Sequence, residues 1–398
     1  MAAINVGVIG MGGRGRALAR TWSAHPKCQV VAACDRNPAM LDAARKMLGD
    51  PAEITWYDDM AAMLANPQVQ AVIVASNDKA HAECAIAALD AGKHLFLEKP
   101  MAQSIADCDA TIEAWKRAQT VFMVGLELRY CTLCQIMKEV LDRGDIGDVR
   151  LGYAVDNVSV GGDYYFHGPR RRKDYIVSLV LEKGTHTLDL MNWFIGAQPV
   201  RVYAEGGLDV FGGDAPNTLR CPDCDKKDTC PYARLNQTAA TDYGETVVLA
   251  PDGCVYAQEA DVHDNSVVTV RYDNGAKMTY VECHFTPDYN RHFILIGTKG
   301  RMVGFYNNEQ DFTIELTYRH TKRRDVIHPP KVKGGHGGGD PMILEEFVAL
   351  VEKGEPCCPG VIGARSSAAI AIASHLSCET GDPQAIPLCP LPVTAATL

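Results

Sequence analysis

Ile4-Asn5-Val6-Gly7-Val8-Ile9-Gly10-Met11-Gly12-Gly13-Arg14-Gly15 is the stretch on which the reading of this chain turns. Residues 4–9 are a short apolar run of the kind that forms a buried strand, and Ala17, Leu18 and Trp22 follow at helical spacing. Between them Gly10 to Gly15 fits G-x-G-x-x-G, in the strand–turn–helix context that gives the pattern its meaning. Each glycine has its own task. Gly10 permits the tight turn, Gly12 lets backbone approach a pyrophosphate, and Gly15 allows the helix to pack closely on the strand. Gly13 and Arg14 complete the loop, and the helix start offers free N–H groups and a positive dipole end to phosphates.

A second apolar run, residues 29–34, ends in Asp35, about 20 residues beyond the last glycine as a dinucleotide site requires. A carboxylate there accepts hydrogen bonds from ribose hydroxyls and repels a 2′-phosphate. NAD is therefore the expected cofactor and NADP the lesser candidate, with Arg36 next in line to soften the preference. Helices at 40–48, 60–64 and 80–91 alternate with strands at 71–75 and 94–97. That alternation predicts a parallel, doubly wound α/β sheet, a Rossmann domain over residues 1–125.

From residue 149 the texture changes to short alternating runs. Residues 266–272 and 277–283 flank Asp273-Asn274-Gly275, a strong hairpin signal, and further strands are expected at 292–296, 302–306 and 312–316. Helices at 341–353 and 364–378 close the chain. Residues 126–398 thus read as an α+β domain with a large, mainly antiparallel sheet, one face of it open for oligomerisation.

The strand at 94–97 runs into Glu98-Lys99-Pro100. With Ala91-Gly92-Lys93-His94 before it, Gly125-Leu126-Glu127-Leu128-Arg129-Tyr130, Gly144-Asp145-Ile146-Gly147, the segment 182–189 and Gly297-Thr298-Lys299-Gly300, the chain resembles the Gfo/Idh/MocA family of sugar and cyclitol oxidoreductases over nearly its whole length. The resemblance implies cofactor contacts from Ser76, Asn77, His81, Glu98 and Lys99, and substrate contacts from Arg129 and Tyr130. It also implies a homodimer or homotetramer. Two departures stand out. Ser76-Asn77 replaces the usual Thr-Pro before His81, and Ser178-Leu179-Val180 replaces a Ser-Gly-Gly stretch before the catalytic helix, which alters backbone freedom beside the substrate.

Lys99 follows a strand's C-terminal end, where ligands collect in doubly wound sheets, and is expected to stabilise a developing alkoxide. Glu182, His186 and Asp189 lie at i, i+4 and i+7 and share one face if helical. The four form the expected catalytic set. His186 takes a hydroxyl proton while hydride leaves the same carbon, Glu182 tunes the histidine or Lys99, and Asp189 acts directly or in support. Tyr164, His167, Arg170, Arg171 and Arg172 form an aromatic and basic stretch that would suit an anionic sugar, or else a solvated loop. His336, in Gly335-His336-Gly337-Gly338-Gly339-Asp340, resembles a glycine-rich stretch of some family members and is expected to reach the sugar.

Cys221, Cys224 and Cys230 form C-x2-C-x5-C in a polar insertion at about 212–240. Three thiolates at this spacing can meet a structural zinc, with Cys254, Cys283 and His263 as unranked choices for the fourth ligand. Uncoordinated thiols are the plain alternative. The other cysteines, of 15 in all, sit in apolar stretches and read as reduced, buried thiols.

With 47% hydrophobic and 22% charged residues the composition is that of a globular protein. No run of 18 apolar residues appears, and the opening lacks the basic and apolar regions of a signal peptide, so a cytoplasmic protein is expected. A net charge of −10 repels phosphate backbones, so a small carbohydrate is the expected partner rather than nucleic acid. Two other functions fit the same residues. One is glycoside cleavage through transient oxidation, with NAD regenerated in each turnover. The other is a non-catalytic NAD-binding sensor, against which Lys99, Glu182 and His186 speak.

Overall fold

The computed structural model describes residues 3–235, 240–242, 247–249 and 252–392. The chain falls into two compact units.

The first unit comprises Met1–Gly125, Asn236–Pro251 and Leu344–Val361. Its strands β1 (Ile4–Ile9), β2 (Cys28–Cys34), β3 (Thr55–Tyr57), β4 (Ala71–Val74), β5 (His94–Leu97) and β6 (Phe122–Val124) make one parallel sheet in the order β3-β2-β1-β4-β5-β6. That order reverses between β1 and β4, which opens the crevice where nucleotides bind in such sheets. Helices α1 (Gly13–Ser23), α2 (Pro38–Leu48), α3 (Met60–Leu64), α4 (His81–Asp90) and α5 (Ile105–Ala118) make the crossovers. Local chemistry sets their ends. Asn37 Oδ1 accepts from Ala39 N–H at 3.0 Å with Pro38 at the first turn, and Gly49 closes α2 in the left-handed conformation. Ser104 caps α5 through Asp107 N–H at 3.0 Å. Val6, Val8 and all of β4 are fully buried, as central parallel strands with both faces covered must be.

The returning stretch is part of this core. Phe347 packs against Trp22 and Phe96, with ring centroids 5.2 and 5.8 Å away, and Trp22 meets Phe96 edge-on at 5.4 Å. Val121 bridges Cys357 in parallel, so the sheet's β6 edge is capped by residues from far down the chain. Residues 344–361, given by the sequence reading to the second domain, thus complete the first unit.

The second unit holds Leu126–Leu235, Asp252–Ile343 and Ile362–Leu398. After α6 (Thr132–Asp142) comes β7 (Val149–Val158), then the short α7 (Lys173–Ile176), α8 (Thr185–Ile195) and β8 (Pro199–Gly207). Next along the chain, β9 (Ala240–Asp242) and β10 (Val247–Leu249) form a small antiparallel pair in the stretch that belongs to the first unit; residues 236–239 of the cysteine-bearing insertion lie outside the described residues. β11 (Asn265–Tyr272) and β12 (Lys277–Cys283) form the expected hairpin, with Gly275 at φ +84° in its turn. β13 (Tyr289–Gly297), β14 (Gly300–Asn307), β15 (Thr313–Tyr318), β16 (Arg324–Ile327) and β17 (Gln384–Ala385) complete a nine-stranded sheet, ordered β16-β15-β14-β13-β7-β12-β11-β8-β17. Every pairing in it is antiparallel except β12 with β7.

Period-2 patterning divides that sheet's faces. Leu151, Tyr153, Tyr203, Val267 and Ile296 stand exposed on one face, and Ala154, Val268, Met278 and Phe293 are buried on the other. Among the helices, α9 (Gly335–Lys353) starts with His336, Gly337 and Gly338 in left-handed conformations. α10 (Val361–Thr380) is long and apolar enough by composition to cross a bilayer, but 78% of its apolar window is buried inside the protein, which makes it a core helix.

Candidate functional site

The glycine loop separates two demands on glycine. A Cβ on Gly10 would lie 2.5 Å from Ser76 N, and one on Gly15 only 1.8 Å from Gly10 O, so packing alone excludes a side chain at both. A Cβ on Gly12 would meet nothing within 4 Å, so no protein atom requires glycine there. Space is kept at that position for a ligand. Gly12 is also the N-cap of α1 and supplies no side-chain cap, and a helix start of this kind favours an anion. This cradle fits a dinucleotide pyrophosphate.

Asp35, at the end of β2, is buried; Oδ2 accepts from Met11 N–H at 2.7 Å and Oδ1 from Asn37 N–H at 2.9 Å. It braces the loop, and each carboxylate oxygen keeps a lone pair for a ribose hydroxyl. Arg36 is exposed. Arg14 Nε pairs with Glu98 at 2.7 Å, joining the loop to the end of β5. Asn77 Oδ1 accepts from Ala80 N–H at 3.2 Å, and Ser76 Oγ lies 3.3 Å from Asn77 O. Lys99 is half-buried and precedes a cis peptide bond to Pro100.

His81 has a different place from the cofactor contact that the resemblance implies. It is fully buried, with Nδ1 2.7 Å from Pro100 O and Nε2 3.2 Å from Ser76 O. Burial lowers its pKa, and a neutral ring donates from one nitrogen only, so the shorter contact carries the proton. His81 clamps the Lys99–Pro100 segment to the end of β4.

In the second unit the chemistry gathers on α8. A π-turn at Val180–Gly184 leads into the helix, so Glu182 precedes it while His186 and Asp189 lie on it. His186 is 4% exposed, and its ring, the Glu127 carboxylate and the His336 ring bring ligating atoms within 4.8 Å of one another. His336 Nδ1 lies 2.8 Å from Asp340 Oδ1. Its φ of +51° is a left-handed conformation that costs an ordinary side chain roughly 1–2 kcal/mol. Such a group can hold and pass a proton, and its donor set would also suit a divalent cation. Glu127 was not singled out from the sequence; its place two residues before Arg129 was the available signal.

The other expected residues divide. Asp189 is paired with Arg129, both oxygens taken at 2.6 Å, and Arg129 also lies over Trp193. Burial raises the Asp189 carboxyl and Arg129 opposes that shift. Asp189 therefore holds Arg129 rather than addressing His186. Glu182 is buried with its carboxylate 3.1 Å from Arg170 Nε, and Arg170 lies over the exposed ring of Tyr164. Tyr130 is half-buried.

His167 and Arg171 are not wall residues. The Pro169–Arg171 turn directs Arg171 inward, where Glu259 and the Cys254 carbonyl at 2.8 Å hold it, and only 4% of it is exposed. His167 is buried, 2.7 Å from Gly253 O. Arg172 pairs with Asp174 at 3.1 Å.

One feature had no signal in the sequence. Lys183 Nζ, in the π-turn before α8, donates to Tyr289 Oη at 2.7 Å. Burial lowers the Lys183 ammonium. Burial also pushes the Tyr289 phenol up, but Arg291 and Lys183 outweigh it and bring Tyr289 down to about 8.

Comparison with known proteins completes the site's context. Residues 4–126 match the model of an oxidoreductase family with an NAD-binding Rossmann fold, and residues 134–303 match the GFO/IDH/MocA C-terminal domain. YteT of Bacillus subtilis is 28% identical over 354 residues, covering 80% of this chain and 82% of that protein. Inositol 2-dehydrogenase of Pseudomonas fluorescens is 34% identical over 202 residues, covering 50% of this chain and 56% of the relative. A levoglucosan dehydrogenase crystallised with NADH and levoglucosan shares the fold at a TM-score of 0.75 and 20% identity, covering 97% of this chain and all of that one. Two family models together span most of the chain, on a glycine cradle shaped for a dinucleotide, and this chain belongs to the Gfo/Idh/MocA family of NAD-binding oxidoreductases.

Proposed function

We propose that the chain is an NAD-dependent dehydrogenase or reductase of a sugar, sugar derivative or cyclitol, with His186 as its base. The observation that carries this reading is the meeting of buried His186 and Glu127 with half-buried His336. NAD, when bound, supplies the hydride acceptor. The chain's own residues do the rest. His186 takes the proton of the substrate hydroxyl, and Glu127 and the His336–Asp340 pair hold the resulting charge. Lys99 offsets the negative charge that grows on the substrate oxygen. Asp35 selects against a 2′-phosphate. Arg170, with Glu182 and Tyr164, forms the polar wall for the sugar, while Asp189 positions Arg129. Relatives named for inositol and levoglucosan support the substrate class.

The test is NADH formation over a panel of cyclitols, anhydrosugars and free sugars. His186→Asn should lower kcat by roughly 10²–10⁴-fold, as loss of a general base does, with NAD affinity unchanged. Full activity in that variant, or no NADH with any member of the panel, would sink the reading.

A second reading, NAD-dependent glycoside cleavage with no net NADH, is favoured by the second histidine. Simple oxidation needs one base, whereas elimination of an aglycone needs a further acid, and His336 with Asp340 would supply it. Aglycone release without accumulating NADH decides for this reading.

The exposed apolar row Ile296, Leu151, Tyr153, Val267 and Tyr203 supports a homodimer or homotetramer formed through that sheet face. Cysteines buried in apolar surroundings, as at Cys28, Cys34 and Cys84, support a reducing setting.

A further inference from the structure

Cys221, Cys224, Cys230 and Cys254 line one small cavity, together with His167, Lys227 and Tyr232. We propose that this cavity binds one zinc ion through the four cysteine sulfurs, as a staple for the surface segment that carries three of them. The inference stands apart from the hydride chemistry.

The backbone brings the fourth cysteine in from a distant part of the chain. Cys221 N–H donates to Asp252 O at 2.8 Å and Cys254 N–H to Leu219 O at 2.9 Å, on either side of an antiparallel bridge between Arg220 and Gly253. Arg220 clamps Asp252 with two bonds, at 2.9 and 2.8 Å. Cys254 is thereby fixed beside the Cys221–Cys224 turn. Of the three candidates for a fourth ligand, it alone belongs to this cavity; Cys283 is paired into the sheet on β12.

The turn is shaped for thiolates. Cys224 N–H reaches back to Cys221 O at 3.3 Å, and Lys226 N–H points at Cys224 Sγ at 3.4 Å. A backbone donor aimed at sulfur stabilises negative charge on it. Cys230 follows on another turn, its N–H bound to Lys226 O at 2.9 Å. Four thiolates around a divalent ion leave two negative charges, and Lys227 stands in the lining to offset them. His167 Nδ1 is 3.9 Å from Cys221 Sγ and bonded to Gly253 O, so it braces the Cys254 side.

The segment has little else to hold it. Residues 222–229 are exposed apart from Cys224, so the cysteines and Tyr232 are almost all that it buries. A loop without a core of its own is what a structural zinc stabilises. The sulfurs stand farther apart than the donor atoms of the Glu127 group, so the ion would draw them inward, to about 2.3 Å from the metal. Each thiol gives its proton to solvent as the metal–sulfur bond forms, and no electrons move.

The test uses the full chain, purified without chelator. Metal analysis should return one zinc per chain, released when a mercurial reagent titrates the thiols. Cobalt substitution should give the strong sulfur-to-metal charge-transfer absorption of a tetrahedral thiolate site. Cys254→Ser and Cys224→Ser should each lose the zinc while still binding NAD, which shows that the rest of the chain is folded. His167→Ala should keep it. No zinc, iron in its place, disulfides among the four cysteines, zinc retained by Cys254→Ser, or zinc lost with His167→Ala would each overturn the proposal.

Discussion

Substituting alanine at Gly12 and at Gly15 separates binding from folding within one loop. Gly12 has φ −62° and ψ −172°, which any residue adopts, and its added methyl touches no protein atom. At such a site Gly→Ala leaves stability unchanged or raises it by about 0.4–1 kcal/mol, through the unfolded chain. The methyl fills the space that the pyrophosphate must enter. Losing one charge-assisted bond from the helix start costs about 1.5–3 kcal/mol, which weakens NAD binding roughly 10- to 150-fold. Gly15→Ala behaves in the opposite way. Its methyl would stand 1.8 Å from Gly10 O, a backbone atom that cannot swing aside, so α1 must shift off β1. Overpacking of this kind costs about 1–3 kcal/mol or more before any ligand is added. Thermal unfolding of the ligand-free variants and calorimetric NAD titration measure the two effects. If Gly12→Ala bound NAD as tightly as the parent chain, or lost as much stability as Gly15→Ala, the division of labour would be wrong.

Three further outcomes are expected. Asp189→Asn leaves the Arg129 guanidinium enclosed without its full partner, and urea unfolding should show a loss of about 3–5 kcal/mol; an unchanged midpoint would mean that the pair is dispensable. Asp35→Ser should weaken NAD by about tenfold or more and relax the discrimination against NADP, read as the ratio of the two dissociation constants; an unaltered ratio would remove Asp35 from cofactor choice. Burial lowers the pKa of His81, His94, His167, His263 and His375 below the ordinary 6.5. Below that value the unfolded chain binds protons that the folded histidines refuse, so unfolding free energy should fall as pH drops from about 7 to 5. A melting temperature that held steady or rose over that interval would contradict this sign.

The first unit was legible because its rules are local. G-x-G-x-x-G, the carboxylate closing β2 and the alternation of short apolar runs with amphipathic helices each act within a few tens of residues. Contributions from far along the chain were not legible in the same way. Nothing near Trp22 announces that Phe347 will pack on it, and nothing near Cys230 chooses Cys254 over Cys283. The candidate site shows the same division. His186 and His336 stood out by motif, whereas Glu127 joins them through a contact that no spacing encodes. The basic run at 170–172 shows why composition misleads: Arg171 turns inward to Glu259, Arg170 meets Glu182 and Arg172 meets Asp174. Charge on a loop does not say which way each side chain faces.

The return of residues 344–361 to the Rossmann unit has a consequence for the order of synthesis. When Gly125 leaves the ribosome all six strands of the parallel sheet have been made, yet Trp22 and Phe96 still lack the ring that covers them and β6 lacks its cap. About 220 more residues must be translated before Phe347 arrives, which at roughly 5–20 residues per second takes tens of seconds. During that interval the nascent nucleotide-binding half displays an aromatic patch and an open strand edge, the features that chaperones bind and that neighbouring nascent chains can join.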